Sequence, residues 1–466
     1  MRAAVWSGFS PLTRGCATEG GAAMITDVKA GRAGARAPTP SSAAGLAGVA
    51  VPELHESHES RRLFLQQAVT CSTVLPVLVG LTGPAWGANA NPPATTGPRV
   101  VRSFNDAYLE LVRLLREACE VEHVLMLQYL YAGFSLTPAY RTLAGSGTPG
   151  ADTLLGVAVQ EMQHLASVNH LLVLLGAAPN LLSAEFPYEP QIYPFEFNLE
   201  PLSPRSLSKY IYAEAPIGFF DGPRSPADAQ FADSVLAMIG PKRRPNHVGS
   251  LYNALIALVG EVSRRPGMPK LDAWLAKLEA IKAEGEKEHF IFFKNVFLAH
   301  HPAFDGHRDA WQLAPTDPAY PAYAVPVNPT AYVGHENEIL NPDLRALAWL
   351  ADLHYWTALL LLDLHFRSGD DMPRSLALAH MSGPLLSLGR HLPILGGGLP
   401  FDPLNFGSAP ALDMVGSRRL IASLVRESME LAKAMAPALP ADYPAGVAET
   451  TLVALSDNRQ IAARAP

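Results

Sequence analysis

The chain has 466 residues, of which 48% are hydrophobic and 17% charged, and its formal net charge is −7. This composition is typical of a folded globular protein and excludes the disordered, collagen-like and disulfide-dense classes. Because the net charge is negative, no overall field attracts a polyanion, and we expect no nucleic-acid partner. The longest apolar run, near residues 72–85, is shorter than the roughly 20 residues that cross a bilayer. We therefore expect no stable membrane insertion.

The first ninety residues have the order of parts of an export leader. The string SRRLFL at 60–65 carries paired arginines, an apolar stretch follows, and ANA at 88–90 provides small residues for a signal peptidase. This pattern resembles a twin-arginine signal and predicts cleavage after Ala90 and a periplasmic or extracellular destination. The alternative is a disordered tail followed by a buried helix. Sixty residues before the arginines is unusually long for a leader, so Met24 is an alternative start.

Helical spacing of apolar residues dominates the chain after a proline-containing linker at 91–93. No alternation is long enough to propose a sheet, so we predict an all-α fold. The long helices predicted before residue 300 cover 103–133, 151–177, 246–263 and 268–299. The domains that follow from this pattern are the leader at 1–90, a helical domain at 91–300, a proline-rich connection at 301–342 and a C-terminal helical region at 343–466. A proline- and aromatic-rich connection, 179–245, separates the second helix from the third.

Glu-x-x-His pairs occur three times on the predicted helices. They are Glu120–His123, Glu161–His164 and Glu286–His289. This spacing places both side chains on one helix face, where a carboxylate oxygen and an imidazole nitrogen can bind one metal ion. Glu161 and His289 also interrupt apolar stripes, and a buried charge is costly unless it is paired or bound to metal. The pairs therefore predict a metal site in the core of a helical bundle.

The first helix offers two acids for this site. Glu122 lies in the apolar stripe, whereas Glu120 shares its face with arginines and with Glu117. We therefore choose Glu122 as the ligand. His123 is either a further ligand or a histidine that packs between helices and hydrogen-bonds a neighbour.

Short motifs in the same order along the chain carry a family resemblance. They are EVEH at 120–123, QEMQH at 160–164, GAAP at 176–179, EAP at 214–216 and EGEKEH at 284–289. Together they resemble the ferritin-like domain of iminophenyl-pyruvate dimer synthases, over roughly residues 104–300. The resemblance implies a ferritin-like four-helix bundle with long inter-helix connections. The metal-ligand positions that it implies are Glu122, Glu161, His164, Glu286 and His289.

The third predicted helix departs from the family pattern. Where the resemblance leads us to expect an acid, the chain has Ser250. Either His247 or Glu261 would have to substitute, or the site holds one metal ion rather than two. The ligand types suit non-haem iron, and manganese and zinc remain open.

The sequence thus predicts an exported non-haem metal protein that acts as an oxidase or oxygenase on a small organic substrate. Members of the resembled family couple two amino-acid-derived imines oxidatively, but a shared domain does not by itself transfer that reaction. The alternatives are a metal-binding or storage protein without turnover, and a helical scaffold whose site has decayed. A homo-oligomer is compatible with the chain.

A second cluster of metal-ligand residue types lies in the C-terminal region. His354 and His365 flank an apolar helical run, and Asp352 and Asp363 each lie two residues before one of these histidines. We expect these to be polar residues of the core or surface rather than a second metal site.

Overall fold

The computed structural model describes residues 104–183, 198–240, 248–404 and 413–456. Within these ranges the regular elements are helices, accompanied by two isolated bridge pairs and no strand. The all-α prediction is confirmed. The expected leader and His247 lie outside the described residues.

Helices longer than one turn build the region before residue 300. In chain order they are α1 (Ala107–Phe134), α2 (Leu154–Leu174), α3 (Pro204–Glu214), α4 (Pro226–Ile239), α5 (Val248–Val262), α6 (Asp272–Glu284) and α7 (Phe290–Phe297). A π-helical turn, Gly285–His289, joins α6 to α7. The four predicted long helices correspond to α1, α2, α5 and the α6–α7 pair.

Helices α3 and α4 lie in the segment that the sequence analysis treated as a connection. Each begins with a proline in its first turn, directly after a serine whose side chain accepts a hydrogen bond from a backbone N–H. Ser203 caps α3 and Ser225 caps α4. Proline is well tolerated at the first helical position, because its missing N–H would have no helical partner there. These prolines therefore start helices rather than interrupt them.

Helix α1 packs along α2, and the two supply much of the core around the site. The Asp106 side chain caps α1 by accepting from the backbone N–H groups of Tyr108 and Leu109. Thr153 caps α2 in the same way, by accepting from Gly156. Both caps satisfy backbone N–H groups of the first turn and so stabilise the helices that carry acids of the site.

The C-terminal region is helical as well. Its helices are α8 (Pro342–Ser368), α9 (Asp371–His380), α10 (Leu386–His391), α11 (Met414–Ala434) and α12 (Gly446–Ser456). Helix α8 is long and apolar enough to cross a membrane, but 83% of its most apolar window is buried inside the protein. It is thus placed as a core helix. The described residues all fall in one compact unit, and the division at 301–342 stays a prediction.

Among the described residues, the histidines and aspartates of α8 are not gathered into a metal-binding group. His354 Nδ1 lies 2.9 Å from His380 Nδ1, and its Nε2 lies 2.7 Å from the Tyr443 hydroxyl. His365 Nδ1 lies 2.7 Å from a backbone oxygen, and Asp363 accepts a hydrogen bond from Arg367. Each side chain has a separate partner, as expected for polar residues of a packed region.

Acid should weaken the fold through His380, whose Nε2 lies 3.0 Å from Thr451 Oγ1. Burial lowers the pKa of His380 from 6.5 to about 4. Between pH 7 and pH 5 the unfolded chain binds a proton here and the folded chain does not. The free energy of unfolding should therefore fall by about 2 kcal/mol on account of this residue.

Urea unfolding at the two pH values measures this loss. It should be smaller by that amount in His380→Gln than in the wild type, whereas the exposed His307→Gln should behave as the wild type does. Equal pH dependence in His380→Gln and the wild type would contradict the assignment.

Candidate metal centre

Glu161 stands at the centre of the site. Its Oε2 lies 2.8 Å from Nδ1 of His164, one turn further along α2. Its Oε1 lies 2.9 Å from Nδ1 of His289, in the π-helical turn. The carboxylate is 2% exposed. One buried carboxylate thus spans two imidazoles from two elements.

Two triads of metal-ligand atoms share this carboxylate. The first consists of Glu122, Glu161 and His164, and the second of Glu161, Glu214 and His289; within each triad the ligand atoms lie within 4.8 Å of one another. His164 Nδ1 lies 3.5 Å from Glu122 Oε2, and His289 Nδ1 lies 3.7 Å from Glu214 Oε1. All five residues are buried. Buried Glu/His triads of this kind are typical of ferritin-like di-iron sites.

Two tyrosines hold the outer acids of the triads. The Tyr252 hydroxyl donates to Glu122 Oε1, and the Tyr129 hydroxyl donates to Glu214 Oε1 at 2.6 Å. Both hydroxyls sit in the core, where such bonds persist because water does not compete. Each triad therefore has one terminal carboxylate oriented by a phenol.

Glu214 was not predicted as a ligand. It is the last residue of α3, a helix that the sequence analysis did not identify, and it is 3% exposed. Its motif, EAP at 214–216, was noted only as part of the resemblance. The available signal was an acid that follows the apolar run YIYA at 210–213 without a basic neighbour in the next turn.

The acid expected near Ser250 is not supplied by Glu261. That side chain is 55% exposed and lies 3.8 Å from Arg265. Glu214 provides a carboxylate at the site from a different helix. The second triad is therefore complete without an acid at 250. The proposed substitution by Glu261 is wrong, because its position on α5 faces solvent.

Glu286 lies on the wall of the same cavity but in neither triad. Its Oε1 is buried without a hydrogen-bond partner among the described residues, and its Oε2 lies 3.9 Å from Lys282 Nζ. The side chain rests against Gly249, where a Cβ would overlap Glu286 Oε1. The structure therefore brings together four of the five predicted ligands in the triads and places the fifth beside them. Its role as a ligand stays a prediction.

A second glycine makes room for Glu214. A Cβ on Gly285 would lie 2.8 Å from Glu214 Oε2, closer than real Cβ atoms approach. Gly285 also begins the π-helical turn that carries Glu286 and His289. Such turns occur often at functional sites, because the extra residue re-aims the side chains that follow.

His123 is not part of either triad. Its Nε2 lies 2.9 Å from the Tyr355 hydroxyl of α8. Its neighbour Glu120 accepts a hydrogen bond from Asn180 at 2.9 Å. The choice of Glu122 over Glu120 agrees with the geometry, and His123 is a histidine that packs between helices.

The carboxylates of the cluster shift one another's protonation. Burial, and then the charge of Glu161, raise the pKa of Glu122 to about 8 and raise that of Glu214. Burial opposes ionisation of Glu161, but His164 and His289 outweigh it and hold its pKa well below the usual range. Burial would lower the pKa of His289, but Glu161 and Glu214 raise it to about 10.

Without a metal ion, bound protons balance the negative charge of the clustered carboxylates. A metal ion that binds must displace these protons. The donor set fits a metal ion. His289 Nδ1 lies 2.9 Å from Glu161 yet makes no hydrogen bond within the described part of the chain. A metal ion requires ligand atoms that lie close together without being hydrogen-bonded to one another.

Comparison with known proteins assigns this region. The profile of a family described as Ferritin-like matches residues 115–304. Residues 115–304 form a ferritin-like domain. All residues of the two triads fall inside it.

One curated relative extends the assignment. The chain is similar to dichlorochromopyrrolate synthase from Lentzea aerocolonigenes, 26% identical over 334 residues, in an alignment that covers 56% of this chain and 31% of the relative. That relative belongs to the iminophenyl-pyruvate dimer synthases, so the predicted resemblance is confirmed. The chain spans about a third of the length of the relative. No solved structure matches the chain.

A matched pair of glycine substitutions on α5 tests the packing of Glu286. No atom of the described residues lies within 4 Å of the position that a methyl group on Gly260 would take, so Gly260→Ala should raise the free energy of unfolding by roughly 0.5–1 kcal/mol. Gly249→Ala should gain less, because Glu286 must move, and it should retain less metal after gel filtration. Urea unfolding and elemental analysis measure both effects. Equal metal content in the two variants would count against a role for Glu286 at the site.

Proposed function

We propose that the ferritin-like domain binds two non-haem iron ions and acts as an oxidase or oxygenase on a small organic substrate. The observation that supports this is the pair of triads that share Glu161. One ion would be held by Glu122, Glu161 and His164, and the other by Glu161, Glu214 and His289. Bound iron supplies redox chemistry with dioxygen.

The residues of the chain would set the conditions for that chemistry. Tyr129 and Tyr252 keep the terminal carboxylates in place, and their protons lie within reach of the site. Burial excludes water from the inner side of the triads, which strengthens the field of each charged group. Glu286 is near enough to serve as a further ligand, since it lines the same cavity.

A small cavity at the triads connects the metal positions with solvent. The five triad residues line it together with Val248, Gly249 and Ile281, and its volume of about 10 Å³ has room for about one water molecule. A water-sized molecule would fit inside this cavity, and an organic substrate would have to lie at its mouth. A storage protein would need space for many ions, whereas a decayed scaffold would have no reason to keep two triads.

The name of the relative describes a synthase, and that activity belongs to a much longer protein. For this chain we propose only an oxidative reaction at a metal site. We further propose export by the twin-arginine route, which the motif at 60–65 supports. A cofactor loaded before export is consistent with that route.

Metal analysis of the purified protein tests the site. The wild type should contain two metal ions per chain. Glu161→Ala/His164→Ala should contain none, because it removes the shared carboxylate, and Glu214→Ala should retain one. Glu261→Ala, an exposed acid on α5, serves as the control and should match the wild type. A double variant with unchanged metal content would refute the assignment of ligands.

Oxygen consumption separates the enzyme from the alternatives. An oxidase or oxygenase should take up dioxygen in the presence of its substrate, and the uptake should vanish in Glu161→Ala/His164→Ala. A storage protein would instead accumulate many ions per chain without turnover. A wild type free of metal would favour the scaffold.

A further inference from the structure

Two polar side chains lie directly behind the histidines of the triads and have no role in the proposed metal binding. Gln160 precedes Glu161 on α2 and is buried, and Glu284 ends α6 and is half-buried. They hydrogen-bond each other, with Gln160 Nε2 donating to Glu284 Oε1. The two side chains thus form one polar link between α2 and α6.

Each histidine presents its outer nitrogen to this link. His164 Nε2 lies 3.3 Å from Glu284 Oε2, and His289 Nε2 lies 3.3 Å from Gln160 Oε1. The inner nitrogens, both Nδ1, face the shared carboxylate of Glu161. A single connected path therefore runs from one imidazole to the other without passing through a proposed ligand acid.

The direction of every hydrogen bond in this path follows from one group. An ionised carboxylate only accepts, so Glu284 requires a donor from each neighbour. Gln160 must turn its NH₂ toward Glu284, which leaves its oxygen for His289. Both imidazoles must then donate from Nε2, so each Nδ1 presents its lone pair to the triads once an entering metal ion has displaced its proton.

We propose that Glu284 is a positioning residue that fixes the tautomer of both histidines, directly for His164 and through Gln160 for His289. This inference rests on the proposed metal site. Partners of this kind raise the affinity of a metal site by holding each imidazole in the binding tautomer, and their loss typically costs 10- to 100-fold. One carboxylate thereby prepares both metal positions.

Glu284→Gln tests the proposal with little change in side-chain size. An amide can accept a hydrogen bond on one side only, so it must present NH₂ either to His164 or to Gln160. In the second case Gln160 turns over and offers its own NH₂ to His289. Either way one imidazole loses its acceptor, and its proton can move to Nδ1.

Titration of the metal-free full-length protein with Co²⁺ measures the effect. We expect at least one of the two sites in Glu284→Gln to weaken by about 10-fold or more. Gln160→Leu should weaken the Glu214–His289 position alone. Glu288→Gln removes the same charge from an exposed position in the π-helical turn that follows α6 and should leave both sites unchanged.

Nitrogen-15 spectra of histidine-labelled, Zn²⁺-loaded protein show which ring nitrogen carries the proton. The wild type should have two histidines protonated at Nε2 and bound through Nδ1, and Glu284→Gln should have fewer. Metal bound through Nε2, or Co²⁺ affinities unchanged in Glu284→Gln, would overturn the proposal. A wild type that binds both ions but consumes no oxygen would refute the proposed oxidase and leave this inference standing. A wild type that binds no ion would refute both the proposed function and this inference.

Discussion

The burial of several carboxylates within a few ångströms of one another is the constraint on which the rest of the domain depends. Ionised acids in a core repel one another and lose their hydration, so they persist only with protons or with cations. Glu161 is placed to share such a cation with either histidine, since its two oxygens face different imidazoles. The surrounding structure supplies what this arrangement needs: tyrosine donors on Glu122 and Glu214, and helix caps that stabilise the helices carrying the acids.

Space at the site comes from backbone as much as from side chains. Gly249 allows Glu286 to lie against α5, and Gly285 allows Glu214 to approach the π-helical turn. Neither glycine is needed for an unusual backbone angle, since each occupies helical conformation. Because glycine has no Cβ, the carboxylates of Glu286 and Glu214 fit against the backbone at these two positions. The π-helical turn adds one residue between α6 and α7, so that His289 faces the triads while Glu284 remains behind them.

The sequence predicted the site residues that lie on long amphipathic helices, but not Glu214, which lies on the short helix α3. Glu161 and His289 interrupt apolar stripes, and that conflict between charge and burial is readable without a structure. Glu214 was missed because its helix has only 11 residues and begins with proline, which reads as a helix breaker unless the serine before it is recognised as a cap. Tertiary packing then brings that short helix beside α7 and the π-helical turn, a contact that no local pattern encodes.

The Glu120–His123 pair shows that the helix face on which a residue lies matters more than the motif itself. Glu120 and His123 have the spacing of a ligand pair, but Glu122 faces the triads, and an adjacent residue on a helix points about 100° away. His123 is therefore directed toward α8, where it meets the Tyr355 hydroxyl. The same spacing thus contributes to a candidate metal-binding triad where it coincides with the inward stripe, and joins two helices where it does not. A motif count alone would have placed a ligand on the wrong face of α1.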